Sequence, residues 1–562
     1  MLASEAGQNA RKAPQCHCTY GVTRRKRPAS ELTYKSMSPP DHVPAEAPAT
    51  PRADAVPPAL RRPLFALLAL IPSLIFLATV LSPPMNHDVA AVLDFAMRWR
   101  AGEALYRDLI DMNPPLIFML TRGAVAAGEW VGVGPIHSLL AFFLLVCASG
   151  AGLALWLRRG LAEGPIEAAC LTFCLPLTLL IAGYDFGQRE HLMFAAAMPY
   201  LMLSARRIAG LATPRALVLA VALFAGTGFM LKPHFLAVPA LVELYLLIRL
   251  GWRAALRDPV RWAMAALWVA YLALIFLVFP DYPGFVIPLT FEYYHSSIDF
   301  AQLLLGDRMA PALLLFLPVA YIALRYPRGL APPLALAGLG ALAAAIVQER
   351  GWSYHVLPIR LAGGLLAVML VARWLDATLA APRARHAAPA VAAIAAALLG
   401  LQGLLSPEAP WRQLAYSSSW TGVTSNALRG AARGGRVLVL SPDIFPVFPI
   451  VNYAGALSTL PTMNLWLLQG ANQTCLPNGA RYRAPAEMGP GERLIWDAVT
   501  RDFPNNPPEA LMVSGHTALP YCGGDFDFLE YFGRDPRFAE TFRRYRQIAD
   551  FNDYRIFRRE DP

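Results

Sequence analysis

Apolar runs about twenty residues long recur along this chain, and they constrain its fold more than any other feature. Eleven can be drawn, at about 63–82, 136–157, 165–183, 191–205, 214–231, 234–250, 262–280, 310–325, 330–347, 356–374 and 387–406. A helix needs roughly twenty apolar residues to cross a hydrocarbon core. So many such runs exceed what one soluble core can hold, and they predict a polytopic all-α membrane protein. Composition agrees. Only 16% of the 562 residues are charged, against roughly 25% in soluble chains.

The net charge of +10 raises nucleic acid as a partner, but its placement argues otherwise. Basic residues gather in short turns: Arg158-Arg159, Arg206-Arg207, Arg249/Arg253/Arg257/Arg261, Arg325/Arg328 and Arg373/Arg383/Arg385. Short basic turns mark the cytoplasmic side of a membrane protein. No run has the aromatic interleaving of a nucleic-acid surface. The remaining loops are then extracytoplasmic, and with eleven spans the C-terminal region is too. The Ala-, Arg- and Leu-rich usage suggests a bacterium, so the expected location is a bacterial inner membrane, crossed many times.

Three regions follow. Residues 1–60 are polar, basic and rich in proline, and read as a disordered cytoplasmic tail. No cleavable signal peptide opens the chain, so the first span acts as an uncleaved anchor. Residues 61–406 form the membrane domain. Residues 407–562 change character: Val437 to Leu440, Leu511 to Val513 and Tyr554 to Phe557 read as strands, with helical patterns between them, as over Pro536 to Tyr545. They predict a small extracytoplasmic α/β domain. Cys147, Cys170 and Cys174 fall in spans and read as apolar packers. Cys16 and Cys18 flank His17 without enough further ligands for a metal. Cys475 and Cys522, beyond the last span, would pair as a disulfide in an oxidising compartment.

Polar clusters gather on the extracytoplasmic side. In the first outer loop (83–135), Asn86 or Asp88 can cap a helix whose apolar face is Val89, Val92, Leu93, Ala96 and Met97, an amphipathic helix at the membrane surface. Pro114-Pro115 starts another short helix. Asp88 is either that cap or a general base for an acceptor hydroxyl or amine, with His87 tuning its charge or binding substrate. Arg189, Glu190 and His191 sit at the mouth of the fourth span, where charges must be paired or face a cavity. Arg189 can grip phosphate through its forked donors; Glu190 can pair with it or bind substrate. Lys232, beside Pro233 and His234, is either a phosphate-binding point charge or a snorkelling lysine. Arg350 and His355 are further phosphate candidates, and Trp352 and Tyr354 suit an interfacial belt or a sugar-stacking surface. His295 and Asp299 could share one helical face as a metal half-site, although a solvated loop is the plainer reading. Gly523 to Asp527 reads as a turn.

Taken together, Asn86-His87-Asp88, Gly102-Glu103-Ala104-Leu105-Tyr106-Arg107-Asp108 and Asp111-Met112-Asn113-Pro114-Pro115-Leu116 resemble the first outer loop of a known family. This is the GT-C integral-membrane glycosyltransferases, especially glycosyltransferase family 39 and its bacterial relatives, the protein mannosyltransferases and the aminoarabinose transferases of lipid A. Gly187 to His191, Lys232-Pro233-His234 and Trp352 to His355 look like later loops of the same bacterial group. The resemblance covers roughly 63–406. Many members carry two adjacent acids in the first loop where this chain has His87-Asp88, so a metal-binding loop is not implied; no cofactor is called for and a divalent metal is left open.

The resemblance implies transfer of a sugar from a polyprenyl-phosphate donor to an extracytoplasmic acceptor, with inversion. In that reading Asp88 is the base, and Lys232, Arg189 and Arg350 meet the donor phosphate. His87, Glu190, His191, His234, Tyr354 and His355 contact substrate. Rival readings are a lipid-linked glycan ligase or another envelope transferase, a transporter and an envelope assembly protein. A transporter would place its ionisable residues near mid-membrane, and no internal repeat is evident.

Overall fold

The computed structural model describes residues 58–294, 298–405 and 414–560, with side chains from 63 onward. The expected tail, with Cys16, His17 and Cys18, and also His295 lie outside the described residues. The longer helices described before residue 405 are α1 (Pro58–Val80), α2 (His87–Arg100), α3 (Pro115–Trp130), α4 (Pro135–Leu157), α5 (Pro165–Leu180), α6 (Arg189–Ile208), α7 (Arg215–Phe229), α8 (Ala237–Leu250), α9 (Pro259–Val278), α10 (Ile287–Tyr293), α11 (Met309–Arg325), α12 (Ala331–Val347), α13 (Ser353–Thr378) and α14 (Ala381–Leu404); shorter helices and helical turns lie between some of them. Each of the eleven apolar runs is one of these helices. Among the described residues, six helices are at least 18 residues long and apolar enough to cross a membrane, and four more are shorter apolar helices. The chain is a multi-pass membrane protein.

Local chemistry sets where the helices begin. Pro115, Pro135, Pro165 and Pro259 each occupy the first turn of α3, α4, α5 and α9, where the missing N–H costs nothing. At the arginine-bearing ends, acids answer the bases: Arg207 pairs with Asp258 at 2.7 Å, Arg261 with Glu243 at 2.6 Å and Arg373 with Glu167 at 2.6 Å. These turns are ion-paired as well as basic, which counting arginines alone does not show.

Asn86 caps α2, its side-chain oxygen accepting from the Asp88 N–H at 2.9 Å. The expected surface helix differs in one respect. Its polar side is covered as well as its apolar side, so that Asp94 and Arg98 are buried along with Val89, Val92 and Leu93. The C-terminal layer causes this. Asp94 accepts from Ser458 N at 3.1 Å, Arg98 donates to Leu460 O at 2.6 Å, and Asn452 donates to Ala90 O at 2.9 Å. The helix is therefore clamped between two parts of the protein.

The C-terminal layer holds a five-stranded sheet: β1 (Arg436–Leu440), β2 (Leu457–Ser458), β3 (Ala510–Ser514), β4 (Tyr545–Phe551) and β5 (Tyr554–Arg559), in the order β2-β1-β3-β5-β4. β1 pairs in parallel with β2 and β3; β5 runs antiparallel to β3 and β4. Helices α15 (Trp420–Ala432) and α16 (Val447–Ala454) flank β1 in sequence. The helical pattern read through Tyr545 stops at Phe542, and Tyr545 opens β4. That strand is mostly exposed, with Arg546, Gln547 and Ile548 all solvated in a row, so it lacks the period-two apolar alternation that makes a strand legible. Cys475 and Cys522 are joined by a disulfide.

Candidate active site

The helix ends away from the arginine turns, together with the C-terminal layer, enclose a cavity of about 1530 Å³. A site for one small ligand occupies about 300–1,000 Å³, so this one has room for two substrates. Of the residues singled out in sequence, Asp88, His87, Arg189, Lys232, His234, Arg350, Tyr354 and His355 line it.

Asp88 occupies the first turn of α2 and is 9% exposed. Its carboxylate accepts from Gln188 Nε2 at 3.1 Å and Arg189 Nη2 at 3.2 Å, and His87 Nε2 lies 3.6 Å away. Burial alone would raise this carboxyl. His87, Arg189 and the Gln188 hydrogen bond outweigh burial, and the group is held below its ordinary value. Gly187 makes the approach of Gln188 and Arg189 feasible. Its φ is +86°, and a Cβ there would meet the Phe143 ring at 2.3 Å, a conformation and a fit that only glycine tolerates.

Arg189 also donates to Gln188 Oε1 at 3.1 Å and, through Nη1, to Asn113 Oδ1. Lys232 Nζ donates to Glu190 Oε1 and Gln348 Oε1, both at 2.7 Å, and lies 5.5 Å from the centre of the Tyr354 ring. The Arg350 guanidinium sits 4.2 Å over the Tyr294 ring, within range of a cation–π contact. His355 packs against Trp352 and Tyr354, with ring centroids 5.4 and 4.6 Å apart. One wall is thus cationic and aromatic, and Asp88 adjoins it.

Two expected contacts fall elsewhere. Glu190 is outside the lining and pairs with Lys232 rather than Arg189. The His191 ring accepts from Gly187 N–H at 3.2 Å and meets Leu179 O at 2.8 Å. Both its nitrogens meet backbone, and it is outside the cavity lining. Asp299 caps the short helix Phe300–Leu305, with its carboxylate on Gln302 N. Asp527 likewise caps Phe528–Gly533. Among the described residues no three His, Cys, Asp or Glu side chains are grouped to hold a metal ion.

Other lining residues were not legible as site residues. Asp111 faces the same cavity and accepts from Asn113 N and Nδ2 at 2.8 and 2.7 Å. Burial raises its carboxyl against those hydrogen bonds. Its Asp-x-Asn-Pro setting before α3 was the available signal. Trp420, Asp443 and Phe445 come from the C-terminal layer, which carried no motif.

No protein-family model matches the sequence, and no curated protein is detectably similar to it. Solved structures are similar in fold. The apo crystal structure of ArnT from Cupriavidus metallidurans matches with a TM-score of 0.53 at 14% identity, over 89% of this chain and 98% of that one. The structure of the same protein bound to undecaprenyl phosphate matches with a TM-score of 0.53 at 14% identity, over 88% and 97%. At that identity the likeness is one of fold. This chain carries the GT-C membrane fold of ArnT, with its small C-terminal sheet.

Proposed function

We propose that this protein transfers a sugar from a polyprenyl-phosphate carrier to an acceptor on the extracytoplasmic side of a bacterial inner membrane. The observation that carries this reading is the single cavity in which a carboxylate, Asp88, adjoins a wall holding Arg189, Lys232 and Arg350. That is the charge arrangement a phosphate-leaving sugar transfer requires. The fold adds support, since one ArnT structure with this fold holds undecaprenyl phosphate.

In this reading the acceptor oxygen or nitrogen attacks the anomeric carbon, and its proton passes to Asp88. The carbon–oxygen bond to phosphate breaks, and the polyprenyl phosphate leaves with the electron pair. Arg189 and Lys232 stabilise that developing charge, with more effect in a site shielded from water than in bulk solvent. Attack from the face opposite the leaving group inverts the anomeric centre. Glu190 holds Lys232 in place. The sugar is a hexose or pentose. Residues 1–60 form the cytoplasmic tail, 61–406 the catalytic membrane domain and 407–562 the extracytoplasmic domain.

The test is donor consumption. The purified chain in lipid nanodiscs is incubated with a panel of polyprenyl-phosphate sugars plus envelope extract, and free polyprenyl phosphate is followed by mass spectrometry. Release from one donor, lost in Lys232→Met, supports the reading. Release from none, under conditions where an ArnT control is active on its own donor, contradicts it.

A further inference from the structure

The C-terminal layer carries a second concavity. A groove of about 450 Å³ is lined by Trp420, Asp443, Phe445, His516, Asp553 and Tyr554, with Pro446 and Asn552 completing it. Trp420, Asp443 and Phe445 line the main cavity as well, so the two spaces adjoin across a shared wall.

Three observations make this groove more than a crevice. The first is its place in the sheet. β1 ends at Leu440 and the chain runs on through Ser441 to Asp443; β3 ends at Ser514 and the chain runs on to His516. The Tyr554 end of the β4–β5 hairpin pairs with Ser514. The groove therefore sits outside the carboxyl ends of the parallel strands β1 and β3. In the order β2-β1-β3 the chain leaves β1 to one side for β2 and then returns to the other side for β3. Ligands of open α/β sheets bind at such a reversal.

The second is a line of rings. Tyr184 stacks on His87 at 5.7 Å, His87 meets Phe445 edge-on at 5.9 Å, Phe445 meets Trp420 at 6.4 Å, and Trp420 stacks near Tyr554 at 6.4 Å. The line starts beside Asp88 and ends in the groove. The surrounding backbone is tied down: Asp443 N–H donates to Ser441 Oγ at 3.2 Å, Ser441 Oγ and Tyr554 Oη are 3.1 Å apart, and Gly515 N donates to Asp553 O at 2.7 Å.

The third is charge. The groove lining has two aspartates, one histidine and no lysine or arginine, whereas the phosphate wall of the main cavity holds Arg189, Lys232 and Arg350. The main cavity is thus cationic on its phosphate-facing wall, and the adjoining groove is acidic and aromatic.

We propose that the groove is the acceptor subsite, and that it takes a neutral or amino-bearing carbohydrate chain. A sugar unit stacks its C–H face on Trp420 and Phe445. Its hydroxyls or amine bond to Asp443, His516 and Asp553, and the terminal unit reaches Asp88 along the rings. An acceptor segment bearing phosphate or carboxylate is repelled from this end. The proposal rests on the transferase reading and names its acceptor class.

The test is binding, with no donor present. The full chain in nanodiscs is titrated with cellotriose, a glucosamine trimer and a galacturonic acid trimer, and affinity is read by saturation-transfer NMR. The expected result is that cellotriose or the glucosamine trimer binds at least ten-fold tighter than the galacturonate trimer. Trp420→Ala and, independently, the exposed-loop variant His516→Ala should each weaken that binding about ten-fold. No binding of any trimer, preference for galacturonate, or unchanged binding by a folded His516→Ala would overturn it. A chain that consumes donor but binds no trimer overturns this inference alone; one that binds trimers but consumes no donor overturns the transferase reading and, with it, the acceptor role of the groove.

Discussion

The Arg189 guanidinium lies 3.2 Å from the Asp88 carboxylate, so the anion proposed to take a proton and a cation proposed to meet phosphate share one contact. Each holds the other charged in a buried place. When a donor phosphate arrives, Arg189 gains a second anionic partner and its grip on Asp88 loosens, which would make the carboxylate a better base at the moment it is used.

The pH profile follows from this contact. An ordinary Asp titrates near about 3.9, and Asp88 is held lower. It is then ionised throughout the working range, and kcat/KM should show no acid limb from Asp88 between pH 5 and 8. An acid limb in that range that vanishes in Asp111→Asn would instead give the base role to Asp111, whose carboxyl is raised.

The Lys232–Glu190 pair, 2.7 Å apart and buried, should behave as a unit. Removing one partner of a buried pair costs about 3–5 kcal/mol, while replacing both by apolar groups is often near neutral. Glu190→Leu should lower thermal stability strongly in nanodiscs, and Glu190→Leu with Lys232→Met should recover most of the loss without recovering activity. Additive losses in the double variant would show that the two are not coupled.

Asp94 gives a stability effect apart from catalysis. It is fully buried, 3.8 Å from Arg98, and burial lifts its carboxyl to about 6 despite that arginine. The folded state then keeps a proton that the unfolded chain releases from about pH 4 upward. Stability is highest below that pH and falls as pH rises through about 6, by up to about 3 kcal/mol. From this group alone, unfolding should shift to lower temperature between pH 5 and 7, and Asp94→Asn should flatten the slope. An unchanged slope in that variant would assign the effect elsewhere.

The disulfide joins positions 47 apart in sequence and ties together two segments whose neighbours Gln473 and Leu519 line the cavity rim. Closing a loop of that length is worth about 4 kcal/mol in the chain-entropy account. Reductant should lower the unfolding temperature of wild type and leave Cys475→Ser with Cys522→Ser unaffected. Equal sensitivity of both proteins would show that the bond does not form.

The spans were legible because membrane crossing demands length and apolarity that few soluble elements combine. Arg189, Lys232 and His355 were legible because charge or imidazole at a span end has to be explained. The placement of Glu190 and His191 was not: adjacent residues on one helix turn face different neighbours, and only packing tells which meets Lys232 and which meets the Leu179 carbonyl. β2 and β4 escaped notice because one is two residues long and the other is largely solvated. Trp420 and Phe445 were silent because aromatic residues in an α/β layer are usually core; their role depends on long-range folding against His87.

The central claim is that Asp88 activates the acceptor in transfer from a polyprenyl-phosphate sugar. The most direct measurement is the single-turnover transfer rate of wild type and Asp88→Asn with the donor that wild type consumes, with donor binding measured in parallel. Asparagine can keep a hydrogen bond to Arg189 but is a far poorer proton acceptor. The predicted result is a rate lower by roughly 10²–10⁴-fold with donor affinity within a few-fold of wild type. A folded Asp88→Asn protein that transfers sugar at the wild-type rate would contradict the account.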